Sequence, residues 1–119
     1  MKLKFVAGAI VFVSFLGAAY AESPAIKERK IVFEGWAKLT KPLGTVLRGQ
    51  GIFDLAATQT ALKSYIEDSK KMPNLFPDDS KTGGKTEVMP AIWDDKAKFL
   101  AGFTKFEADA AEALASRLW

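Results

Sequence analysis

Arg29 is the residue whose placement most asks for chemistry. It lies three residues after Ile26 and four before Phe33, on the apolar side of a helical pattern. A guanidinium there wants a carboxylate or another anion, or else it snorkels to water or closes a salt bridge at the end of a bundle. Phe33, Phe76, Trp93, Phe99 and Phe103 form an aromatic set spread along the chain. Such a set fills a core or lines a pocket for a flat ligand, and periodicity does not separate the two. Gly84-Lys85-Thr86 has the ending of a phosphate-binding loop, but Asp79 stands where the pattern needs its first glycine, and no strand precedes it. It reads as turn chemistry. Asp78-Asp79 and Asp94-Asp95 are paired carboxylates, yet adjacent helical positions do not face each other. Asp94 and Asp95 instead suit the first turn of a helix, where acids complement the dipole. No metal site is expected.

The chain has 119 residues, no cysteine and no histidine. That excludes thiol nucleophiles, disulfides and cysteine zinc sites, and it removes the usual general base and the commonest metal ligand. With no nucleophile elbow either, no hydrolase or other enzyme is expected. Charged residues at 26% and hydrophobic residues at 49% are the balance of one globular domain.

The elements that must position these residues are helices. Residues 1–21 read as a secretory signal peptide: Lys2 and Lys4, an apolar run from Phe5 to Leu16, and an Ala19-Tyr20-Ala21 cleavage site. Periplasmic export follows from it. Without those two lysines the rest of the chain is close to neutral, so nothing argues for nucleic acid. Residues 22–119 then form the domain. A first helix is predicted from about Pro24 to Arg48, capped by Ser23 and closed by Gly49 and Gly51. Ile26, Phe33, Trp36, Leu43 and Leu47 make its apolar face, and Pro42 should kink it or end it early. A second runs from about Asp54 to Met72, with Asp54 as cap and Pro73 as stop. Residues 73–87 read as a loop that tucks Leu75 and Phe76 into the core. A third begins near Thr86 or Val88 and reaches the last residue, about 32 residues or about 48 Å. No strand is expected. The fold class is an all-α antiparallel bundle. The third run lacks a closing signal, so the expectation is a chain that stops before a fourth helix.

The same residues resemble a known family. Glu-Arg-Lys-Ile-Val-Phe, Thr-Lys-Pro-Leu-Gly and Leu-Arg-Gly in the first helix are followed by Phe53-Asp54. Then come Ser69-Lys70-Lys71-Met72-Pro73, Leu75-Phe76-Pro77, Asp79-Ser80-Lys81-Thr82-Gly83-Gly84 and Pro90-Ala91-Ile92-Trp93-Asp94-Asp95-Lys96-Ala97-Lys98-Phe99. In this order they resemble the cytochrome c′ family of periplasmic four-helix-bundle haem proteins, from about Ile26 to Ala111.

The resemblance implies roles. Arg29 matches an arginine beside a haem propionate, and Lys30 a position that often contacts the haem. Phe33 falls over the open face of the iron. Some low-spin relatives carry a ligating methionine there, so phenylalanine implies the high-spin, five-coordinate type. Phe76 helps wall that side, Thr86 and Glu87 approach the haem edge, and Trp93 packs nearby. The family implies electron transfer or binding of nitric oxide or carbon monoxide, a redox partner protein, and dimers in many members. It also implies C-x-x-C-H on a C-terminal helix, which this sequence lacks. As written, the chain is expected not to hold covalent haem c. The alternatives are a non-haem helical interaction module and a non-functional truncated product.

Overall fold

The computed structural model describes residues 22–116; the expected signal peptide lies outside them, as do residues 117–119. Three long helices carry the fold: α1 (Pro24–Leu47), α2 (Leu55–Lys71) and α3 (Lys96–Ala115). Short 3₁₀ turns fill the α2–α3 connection at Met72–Leu75, Asp78–Ser80 and Pro90–Asp95. No strand occurs among the described residues. The chain is all-α, as its pattern predicts.

Local chemistry sets the boundaries. Ser23 accepts the Ile26 N–H at 3.2 Å, and Pro24 occupies the first turn, where its missing donor costs nothing. At the other end Gly49 adopts φ +71°, the Gly49 N–H donates to Val46 O, and the Gln50 N–H donates to Thr45 O. This is a Schellman closure, which satisfies carbonyls that the helix leaves free. Asp54 accepts from the Ala57 N–H at 2.9 Å and starts α2.

Two expectations need correction. Pro42, expected to kink α1 or end it early, lies inside the helix, so the early end is the part that fails. Leu39 and Leu43, on either side of it, both pack against the core, and this packing holds the helix through the missing hydrogen bond. The third helix also starts later than the apolar pattern indicates. Residues 90–95 form a tighter 3₁₀ segment, and Asp95 leaves helical geometry at φ −137°, ψ 61° so that its carboxylate caps Lys98 N–H. The continuous run of apolar residues hides a joint.

Trp36 pairs with Asp68 and Thr40 with Tyr65, so α1 and α2 run antiparallel. Tyr65 meets Phe106, and Met72 packs with Phe103, which reverses direction again into α3. The core has two clusters. One gathers Val32, Met72, Leu75, Phe76 and Phe103; the other gathers Ala61, Tyr65 and Ala110. Trp36 packs against both. Leu75 and Phe76 are buried as expected of that loop, but Leu47, assigned to the apolar face of α1, is 88% exposed. Val32 takes a core place that the spacing argument missed.

Candidate functional site

Arg29 is 1% exposed and has no carboxylate partner among the described residues. It neither snorkels nor closes a salt bridge. Its Nη1 donates to Leu75 O (3.0 Å) and Ser80 Oγ (2.9 Å), and its Nη2 donates to Ser80 O (2.8 Å) and Thr86 Oγ1 (2.9 Å). All four terminal N–H groups are thereby used, each on a neutral acceptor. The guanidinium carbon lies 5.0 Å from the Phe76 ring and 6.0 Å from the Trp93 ring. The aromatic faces supply the negative potential that a carboxylate would otherwise provide. Burial lowers the arginine pKa below its ordinary value, because desolvation disfavours the charged form.

The 3₁₀ turns explain why the acceptors are there. They curl the chain after α2 so that the carbonyls of Leu75 and Ser80 point at one spot on α1. Ser80 Oγ donates to Pro77 O at 2.7 Å, which leaves its lone pairs for Arg29. Thr86 Oγ1 accepts from Arg29 and, at 3.3 Å, from Val88 N–H, so its own O–H remains as a donor.

Beside this network lies a recess of about 400 Å³ lined by Arg29, Lys30, Phe33, Glu34, Lys85, Thr86, Glu87 and Val88. Five of the seven residues singled out from the sequence, Arg29, Lys30, Phe33, Thr86 and Glu87, meet here. Lys30 Nζ bridges Glu22 Oε1 (2.8 Å) and Gly84 O, which fastens the loop over the start of α1. Phe33, 39% exposed, forms the apolar side and stacks edge-on against Trp36 at 5.8 Å. Phe76 and Trp93 are not on the recess. Phe76 is fully buried beneath Arg29 and packs on Phe99 (4.9 Å) and Phe103 (5.8 Å). Phe76, Trp93, Phe99 and Phe103 therefore belong to the core or pack against it, and of the five only Phe33 lines this recess.

Gly84-Lys85-Thr86 is a turn. Gly83, Gly84 and Lys85 all have positive φ, and Thr86 N–H closes on Gly83 O at 3.0 Å. A Cβ at Gly84 would stand 2.5 Å from Glu22 Cγ and sit at φ +54°, so a side chain here would displace Glu22 and strain the backbone. Sequence reasoning takes Lys85 only as part of the Gly84-Lys85-Thr86 turn and does not assign Ser80, Glu34 or Val88 to the site. Nothing in their types or spacing marks them, since the loop path alone brings them to α1.

The recess is thus mixed: an apolar wall at Phe33, cations at Arg29, Lys30 and Lys85, and a free hydroxyl donor at Thr86. It suits the edge of a flat apolar molecule that carries a carboxylate.

Known proteins resemble this chain over most of its length. The Cytochrome C′ family model matches residues 24–117. A cytochrome c′ of Rhodopseudomonas palustris is 44% identical over 115 residues, covering 95% of this chain and 77% of the relative. A cytochrome c-556 of the same organism is 30% identical over 112 residues, covering 88% of this chain and 74% of the relative. The solved structure of cytochrome c′ from Rhodopseudomonas palustris superposes with a TM-score of 0.73 at 44% identity, covering 78% of this chain and 74% of that one. The chain belongs to the cytochrome c′ family.

Proposed function

We propose that this chain supplies the open-face wall of a cytochrome c′-type haem pocket. The protein it serves is periplasmic and works in electron transfer or in binding small neutral gases such as nitric oxide or carbon monoxide. The observation that carries the reading is the convergence of Arg29, Lys30, Phe33, Thr86 and Glu87 on one recess. Arg29 and Lys30 favour an anionic edge, Thr86 donates to it, and Phe33 offers an apolar cover. Such a cover admits neutral diatomics and disfavours anions and water. Phe33 has no atom that ligates a metal.

The residues fit the wall of the pocket and do not fit the attachment of its cofactor. Haem c needs two thiols for its thioether bonds and an axial ligand, and these 119 residues contain neither cysteine nor histidine. Met72 is buried in the core and Met89 is exposed on the loop, and neither lines the recess. Covalent attachment would need thiols and an axial ligand that these 119 residues do not supply. A haemochrome assay tests this. The reading expects no covalent signal from the 119-residue chain and a c-type signal from the periplasmic product of the whole gene. A whole-gene product without that signal overturns it.

A second reading is a non-haem helical interaction module, favoured by an apolar groove between α1 and α3 lined by Trp36, Phe99, Gly102, Phe103 and Phe106. It expects the chain to melt cooperatively without cofactor. A molten, protease-sensitive chain counts against it.

A further inference from the structure

We propose that the α1–α2 turn docks on an anionic phospholipid surface, with Leu47 and Ile52 entering the headgroup boundary. The turn shares no residue with the Arg29 recess, and the proposal does not depend on the haem reading. Among the described residues seven large hydrophobic side chains are exposed. Four of them, Leu47, Ile52, Phe53 and Leu55, fall in the short stretch that joins α1 to α2. Leu47 at 88% and Ile52 at 94% are the two most exposed of the seven. A single exposed leucine needs no explanation, but a cluster confined to one turn marks a place of contact. The turn is also well built. The N–H groups of Arg48, Gly49 and Gln50 donate to Gly44 O, Val46 O and Thr45 O at 3.2, 2.9 and 3.0 Å, and Thr45 Oγ1 donates to Lys41 O at 3.1 Å. Backbone groups already paired within the chain lose little when water is withdrawn, so this tip enters a headgroup layer at small desolvation cost. No helix among the described residues is long and apolar enough to cross a membrane. A turn of this size reaches the headgroup boundary only.

The charges identify the occupant. Between Gly35 and Ile66 the chain carries Lys38, Lys41, Arg48 and Lys63 and a single acid, Asp54. The Asp54 carboxylate is occupied as a helix cap, accepting from Ala57 N–H at 2.9 Å. The four cations are exposed, and none forms a salt bridge among the described residues. At 1.5 Å per residue Lys41 stands about 10 Å behind Arg48, and Lys63 about 12 Å behind Leu55, close to one Debye length at about 0.1 M salt. On α3, which points to the same end, the last acids are Asp109, paired with Lys105 at 2.7 Å, and Glu112. Cations still outnumber acids around the tip. Apolar side chains in front, with lysine and arginine behind, match acyl chains in front of phosphates. The long basic side chains can lay their stems along the boundary and keep their charges at the phosphates.

Vesicle flotation tests the proposal on the chain as exported, residues 22–119, which contains the whole described fold and omits the apolar run from Phe5 to Leu16. Circular dichroism is the fold control. The chain should float with pure phosphatidylglycerol vesicles and not with pure phosphatidylcholine vesicles. Raising the salt from about 0.1 M to about 1 M should release it. Leu47→Ser and Ile52→Ser alter only exposed side chains, and each should weaken binding about tenfold, as should Arg48→Glu. Because the chain has no cysteine, the Ile52→Cys variant carries a single environment-sensitive fluorophore. Its emission should shift to the blue on phosphatidylglycerol vesicles. The same label on the Lys27→Cys variant, at the other end of α1, should not respond. A folded chain that ignores phosphatidylglycerol vesicles overturns the proposal, as does binding indifferent to the three tip substitutions. A label on Ile52→Cys that is shielded before vesicles are added also overturns it, because another protein surface then covers the turn.

Discussion

Arg29 shows how a single side chain organises the loop that it holds. Its four hydrogen bonds tie α1 to three separate points of the α2–α3 connection. Arg29→Met keeps much of the stem and strands those acceptors, several of them buried. The expected loss is about 3 kcal/mol or more, read as a lower urea midpoint. Arg29→Lys keeps the charge without the planar fork and should recover less than half of that loss. The position of Arg29 on an apolar face was legible in the sequence. Its partners were not, because two of them are backbone carbonyls, which every residue carries. Only the path of the loop decides which carbonyls reach α1. The same holds for Lys85, whose place on the recess follows from a turn at φ +56°.

Among the elements, helix starts were legible wherever a capping side chain marks them. Ser23 and Asp54 begin α1 and α2 where their types say they should. The joint at Asp95 escaped, since Ile92, Trp93 and Phe99 keep an apolar rhythm across it. An aspartate that leaves the helix to cap the next turn looks the same in sequence as one that complements the dipole. The fate of Pro42 was equally hidden: a proline stops a helix only where packing on both sides fails to hold it. Gly49→Ala tests the Schellman closure. A Cβ there meets nothing within 4 Å, so the cost is purely that of placing a side chain at φ +71°. It should be about 1 kcal/mol by urea unfolding.

On the scale of the whole molecule, the all-α class and the antiparallel order of the helices followed from pattern alone. The division of the core into two clusters did not, because it depends on which faces meet. Trp36 belongs to both. Its ring lies 5.3 Å from Phe106 and 5.8 Å from Tyr65, and its Nε1 donates to Asp68 at 3.0 Å. Trp36→Ala should cost about 3–5 kcal/mol. It should also separate the clusters, so that unfolding followed by far-ultraviolet circular dichroism and by near-ultraviolet tyrosine signals no longer coincides. Coincident transitions in that variant would show that the clusters are joined by other contacts.

The span of the Arg29 bonds also bears on the order in which the molecule assembles. Their partners lie 46 to 57 residues away along the chain. Nothing within α1 itself compensates the guanidinium, so an isolated first hairpin has to keep it in water. The network closes only after residue 86 has found its place, late on the folding path, because long loops must close before their contacts reward it. Substitutions at Arg29 should therefore speed unfolding and leave the folding rate nearly unchanged in stopped-flow measurements. On this view Arg29 is a latch that is thrown last, and it sets how long the native molecule stays shut.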